Sequence, residues 1–186
     1  TASTNGSMRP TRFFTFLRQK VPGYRHAIME NMGTQIGIRE SRRIIAEYCL
    51  TEQDLLSCKH FEDRIALGNY SIDIHDPKGT AKTQIQRIPQ GQYYSIPYRC
   101  LIPQGMVNVI VAGRPIGTTH VSHSAIRILP ICAAIGHAAG IASALALKSS
   151  SSVDYSQIQI SDLQTELRKQ KAILDILRTY LTAYFF

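Results

Sequence analysis

Between Gly105 and Leu147 the chain passes through three contrasting stretches. A glycine-bounded run of mostly β-branched residues, Met106-Val107-Asn108-Val109-Ile110-Val111-Ala112-Gly113, leads into a loop of glycines and hydroxyls from Arg114 to Ser124. Ile131–Leu147, packed with Ala and Gly, follows. The first run does not alternate polar with apolar, which predicts a strand of parallel type, buried on both faces. Pro130 stands where a first-turn proline belongs, so the Ala/Gly stretch predicts a long helix whose small residues pack closely. A strand, loop and helix in this order point to an α/β or α+β fold with a mixed sheet. The whole chain reads as one domain, with residues 1–148 as its body and residues 149–186 as a serine linker and C-terminal helical segment.

The remaining patterns add elements around that unit. Arg9–Arg25 predicts a short helix with Phe13, Phe14 and Leu17 inward, stopped by Pro22-Gly23. Arg43–Leu50 predicts a strand. Thr51 and Asp54 have the spacing of a capping box at a helix start. Phe61–Ala66 reads as a short helical stretch ending at Gly68, and Tyr70–His75 alternates as a strand with Ile72 and Ile74 on one face. Lys78–Gln92 reads as a polar connection. Tyr93–Ile102 is strand-like, with Pro97 forcing an edge or a bulge. Ser161 is the expected cap of a last helix, carrying Leu163, Leu167, Leu174, Leu177, Leu181 and Tyr184 on one stripe.

Charge narrows the partners. Lys and Arg number 21 against 13 Asp and Glu, a net charge of +8, yet no acid occurs between Asp76 and Asp154. A long acid-free stretch with a few placed arginines suits a small bound anion. It lacks the adjacent Lys/Arg clusters and aromatic interleaving that track a nucleic acid, so no nucleic-acid partner is expected. Ile128–Leu147 carries no formal charge, but Pro130, Gly136, His137, Gly140 and Ser143 interrupt it and alanine fills nearly half of the rest, so no membrane span is expected. Four cysteines without a CxxC pair argue against a disulfide scaffold and a structural zinc site. The opening Thr1–Ser7 has neither an initiator Met nor a signal-peptide pattern, so a cytoplasmic protein is expected, with this chain a piece of something longer.

Several groupings can carry chemistry. Gly37–Arg43 offers Arg39 and Arg42 to a carboxylate, against the plainer reading of a solvated turn with local Glu40 pairing. Asp73 and His75 share a strand face, where a carboxylate can set the imidazole tautomer, or they are simply a polar strand end. His120 and His123 have i,i+3 spacing but fall in the loop without a third ligand, so no metal is expected. A non-enzymatic module docking its basic surface on an acidic partner, and a basic nucleic-acid binder, stay open as alternatives to an enzyme.

Five ordered blocks carry a resemblance. They are Gly37–Ile44, Leu50–Asp54, Tyr70–Asp76, Tyr94–Pro103, and Asn108–Arg114 with His123–Arg127, Pro130, Cys132, Gly136 and Ala138–Gly140. Together they resemble the C-terminal half of bacterial FAD-dependent oxidoreductases, the broad family sometimes labelled xanthan-lyase-like. The resemblance implies hydride transfer between an organic substrate and flavin. It places Ala112, Gly113 and Arg114 along the ribityl chain. Ala125, Ile126, Arg127 and Cys132 then border the isoalloxazine, and the helix from Pro130 faces its pyrimidine edge. Arg39, Arg42, His75 and Arg99 become the substrate-side candidates. The family's N-terminal GxGxxG is absent from this sequence, since Gly33–Gly37 has the wrong spacing and no apolar strand before it. The expected partners are therefore an N-terminal FAD-binding region and an unknown organic substrate, with homo-oligomer formation left open. The chain alone is expected to be inactive and to bind FAD poorly.

Overall fold

The computed structural model describes residues 2–33, 37–74, 84–149 and 153–176. Its elements in chain order are α1 (Ala2–Lys20), α2 (Glu52–Leu56), β1 (Arg64–Gly68), β2 (Ile72–Ile74), β3 (Gln84–Gln86) and β4 (Tyr94–Pro97). A 3-10 turn at Tyr98–Leu101 follows, then α3 (His120–Ile126), α4 (Leu129–Ser149), a second 3-10 turn at Tyr155–Gln157 and α5 (Ile160–Lys169). Helices and strands are mixed, as the sequence led one to expect, and both small sheets are antiparallel. The chain divides into two units, residues 1–39 and 40–186.

In the first unit α1 begins earlier than the sequence pattern placed it and carries Pro10 inside. Its end falls just before Pro22-Gly23, where Gly23 takes a positive φ of 89°. Phe14 and Leu17 are half-buried, but Phe13 is exposed, contrary to the inward face expected of it.

The second unit grows from a local signal. The Thr51 side chain accepts from the Asp54 N–H, and Asp54 Oδ2 accepts from the Thr51 N–H at 3.0 Å, completing the capping box. Asp54 also accepts from the Thr51 hydroxyl at 2.9 Å, the Tyr48 hydroxyl at 2.8 Å and Lys59 Nζ at 3.0 Å. Burial alone would raise its pKa, but these donors outweigh burial and hold it below the ordinary value. Asp54→Ala is expected to cost about 1–2 kcal/mol, read as a lower urea midpoint with an unchanged slope.

The strand expected over Arg43–Leu50 is instead an extended thread held from two sides. Glu47 and Tyr48 donate to Ile102 and Arg99 on one flank, and Ile44 and Leu50 donate to Pro115 and Gly117 on the other. Only isolated bridges, Ala46 to Pro103 and Leu50 to Thr118, result. Pro103 and Pro115 lack the N–H that would extend a ladder.

Phe61–Ala66 is also corrected, because Arg64–Gly68 is strand β1, paired antiparallel with β4. Ser95 steers this pairing: its hydroxyl accepts from Phe61 N–H at 2.8 Å, and its own N–H donates to Lys59. Tertiary hydrogen bonding overrides a weak local preference here. The register shifts between Arg64 and Ala66, opposite Pro97, as a bulge beside a proline should. Ile72–Ile74 is a strand as read. The supposed connection after it contains β3, paired with β2.

The largest departure concerns residues 106–113. No strand forms there, and Met106, Val107 and Val109 are exposed. Val111 N–H donates to Leu101 and Val107 accepts from Tyr155 N–H, while Ile110 and Ala112 lean on the core. An apolar run is buried on both faces only where strands flank it, and among the described residues of this unit none does.

Downstream, α4 follows Arg127 as its proline placement implies, and one side of it, including Ile131, Ile135, Ala138 and Ala142, is buried. It packs on β1 and α5, and by length and composition it is long and apolar enough to cross a membrane. A Cβ added at Gly136 or Gly140 would meet nothing within 4 Å, so these glycines do not serve close packing. The helix α5 starts after Gln159, two residues earlier than a Ser161 cap allows, and buries Leu163 and Leu167. It ends at Lys169, so buried Leu174 lies beyond it, and Leu177, Leu181 and Tyr184 lie outside the described residues.

Candidate functional site

Three stretches distant in sequence meet on α3. The loop read from the sequence ends early, because Thr119 caps a helix at His120 by accepting from Ser122 N–H. This turns the His120/His123 spacing into two residues on one helix face. The Ser122 hydroxyl donates to the Leu50 carbonyl at 2.6 Å and anchors the helix to the thread.

The 40–43 turn supplies the carboxylate. Glu40 lies within ion-pair distance of Arg43, and His120 Nδ1 lies 2.9 and 3.0 Å from its two oxygens. Arg43 Nε donates to the Thr118 carbonyl at 2.9 Å, which fixes the arginine to the start of α3. From the other side, His123 Nδ1 lies 3.5 Å from Glu40 Oε2 and makes no hydrogen bond. His123 is 1% exposed. Burial foremost, then the neighbouring Arg127, Arg43 and His120, push its pKa down to about 4, while a hydrogen bond with the Arg114 backbone works the other way. His123 is thus neutral near pH 7, and its approach to Glu40 is not an ion pair there.

Strand β2 closes the group. Asp73 N–H donates to Ser124 Oγ at 3.1 Å, Ser124 donates to Val121, and Arg127 donates to the Asp73 carbonyl at 3.2 Å. The arrangement can bind a polar or anionic group and hold protons in defined places. Among the described residues no group of His, Cys, Asp and Glu is set to hold a metal ion. A cavity of about 480 Å³ adjoins the cluster through Arg43 and Thr118, lined also by Ser41, Ala46, Cys49 and Gln104. A second cavity of about 440 Å³ lies between β1 and α4, with Gly68, Tyr93 and His137 in its wall.

The candidates named from the sequence fall in different places. Arg127 belongs to the α3 group, and Arg114 touches it through its backbone. Ala125 and Ile126 are fully buried, with their side chains in the core. Arg39, exposed, ends the first unit. Arg42 is exposed and lines neither cavity. Arg99 donates to Asp63 at 2.9 Å and stacks 5.1 Å from the Tyr48 ring centroid, and the Asp63 bond raises its pKa. His75 lies outside the described residues. Glu40 and His120 were not foreseen as a pair. The available signal was the Thr119/Ser122 spacing, which is that of a helix start.

A family model described as FAD dependent oxidoreductase matches residues 1–167. The chain belongs to the FAD-dependent oxidoreductase family. No curated protein and no solved structure matches it. For this FAD-dependent oxidoreductase family member, the donor set shows how far the cofactor fits. Gly113 has φ +80°, and a Cβ there would meet nothing within 4 Å, so its backbone is bare on that side. Exposed Arg114 follows it, close enough to the Cys132 thiol to offset in part the rise that burial causes. A bare backbone, a permanent cation and the first turn of α4 suit the anionic edge of an isoalloxazine. A pyrophosphate needs N–H groups from a glycine-rich turn at a helix start, and this sequence has no GxGxxG. The residues present fit one end of FAD and not the other.

Proposed function

We propose that this chain is the C-terminal part of an FAD-dependent oxidoreductase that passes hydride between an organic substrate and the flavin, acting in the cytoplasm. The observation that carries the reading is the exposed run Met106–Val109, which leads to the bare backbone at Gly113. Largely apolar and, among the described residues of its own unit, without strand partners, it has the composition of a strand that completes another sheet. A dinucleotide-binding part carrying the GxGxxG is the partner that would cover it and hold the pyrophosphate. When bound, FAD supplies the two-electron chemistry at N5.

The chain's own residues would do the rest. Ala112, Gly113 and Arg114 lie along one side of the cofactor, with the backbone of Ala125 and Ile126, the Arg127 guanidinium and Cys132 bordering its ring. Arg39, Arg42, His75 and Arg99 are the substrate-side residues in this reading. Two titrations test it. The 186-residue chain is expected to bind FAD only weakly in equilibrium dialysis. The longer protein that includes the dinucleotide-binding part is expected to purify yellow, with a flavin absorbance band. A colourless longer protein that takes up no added FAD would overturn the reading.

A further inference from the structure

We infer that Glu40 and His120 form a proton-accepting dyad, in which His120 Nε2 takes the proton of a hydroxyl or amine donor and Glu40 is the positioning residue. The geometry is specific. His120 Nδ1 sits at 2.9 and 3.0 Å from the two Glu40 oxygens, so its hydrogen lies on Nδ1 and the Nε2 lone pair points away. Glu40 is held from behind by Arg43, itself tied to Thr118, and only 19% of its side chain is exposed. His120, by contrast, is 64% exposed, so the accepting nitrogen is reachable.

His123 explains why the dyad has one acceptor. It faces the same oxygen of Glu40, but it is buried and neutral, and its Nδ1 has no partner. The carboxylate charge therefore acts on Arg43 and His120. The other groups around the dyad are Arg127 and the Arg114 backbone near His123, and Glu52, whose carboxylate accepts from the Thr119 hydroxyl at 3.1 Å.

The inference rests on the oxidoreductase reading for its chemistry. In a donor H–C–O–H, the C–H bond leaves with its electron pair to the two-electron acceptor and a C=O bond forms. The hydroxyl proton passes to His120 Nε2, leaving an imidazolium balanced by Glu40. Atoms and charge are thereby accounted for, and no second oxidant is required.

The test uses the 186-residue chain without cofactor. Long-range proton–nitrogen spectra of the labelled protein at about pH 8, above the ordinary imidazole range, should show His120 with its hydrogen on Nδ1. Glu40→Gln and Glu40→Ala should shift it toward Nε2. Diethyl pyrocarbonate should modify His120 several-fold faster than exposed His60 at the same pH, and Glu40→Gln should erase that excess while the circular dichroism spectrum is kept. A wild-type His120 with its hydrogen on Nε2, or an excess rate that survives Glu40→Gln, would overturn the dyad. In the FAD-loaded longer protein, His120→Gln should lower kcat by about a hundredfold with little change in KM. A colourless longer protein defeats the oxidoreductase reading and leaves the two cofactor-free results to judge the dyad by themselves.

Discussion

Gly117→Ala is expected to destabilise the folded protein by about 3 kcal/mol, as overpacking against rigid neighbours does. The new Cβ would lie 2.5 Å from the Ala46 Cβ and 2.5 Å from the Tyr48 carbonyl oxygen. Neither atom belongs to a flexible side-chain end, so something in the backbone has to move. The backbone at Gly117 is bound in both directions: its N–H donates to Cys100 at 2.8 Å and its carbonyl accepts from Leu50 N–H at 3.0 Å. Relief of the clash by moving Gly117 therefore costs its bond to Cys100 or its bond to Leu50 in the 43–50 thread. Gly136→Ala is the control of opposite sign. Its Cβ meets open space in the middle of α4, and alanine should stabilise by about 0.5–1 kcal/mol through helix propensity. Urea unfolding of the two variants checks both, and equal midpoints would show that the contact at Gly117 is soft.

The second large effect is a pH dependence carried by His123. Its folded-state pKa of about 4 lies below that of an unfolded histidine. Above the unfolded value both states are neutral and the residue costs nothing. As pH falls through roughly 6.5 the unfolded chain takes up a proton that the folded one refuses, so stability drops until the folded value is reached. The loss is about 2 kcal/mol at pH 5 and about 3 kcal/mol by pH 4. Carboxylates add their own slope at the acid end, so the informative quantity is the difference between wild type and His123→Gln. That difference should grow steadily from pH 7 to pH 5, and parallel curves would show that the imidazole is not held neutral by the fold.

Sequence legibility followed the range of the interactions. The capping box at Thr51 and Asp54 was readable because both partners sit within four residues and the chemistry is local. Ile72–Ile74 was readable because alternation encodes a half-buried strand. Burial of Val107–Val111 was not, since an apolar run states what a strand could bury and not whether neighbours are present to bury it. The α3 group was partly visible. The His120/His123 spacing shows in the sequence, but its helix depends on a Thr119 cap hidden among hydroxyl residues. The pairing with Glu40 spans |i−j| = 80, and no local pattern announces a contact of that range.

The 43–50 thread has a consequence for how the chain comes to be folded. Its hydrogen bonds reach forward to residues 99–104 on one side and 115–119 on the other. Ser122 closes on Leu50 across |i−j| = 72, and Arg64 reaches Leu174 across |i−j| = 110. Contacts so widely separated demand loop closure before they give any stabilisation, which places this unit among slowly folding topologies. On the ribosome, residues 40–74 would emerge with their apolar side chains ready and their partners still unmade. At synthesis rates of about 5–20 residues per second, several seconds pass before Thr118 and Ser122 are available. During that interval the nascent thread is a natural client for a chaperone that shields extended apolar chain.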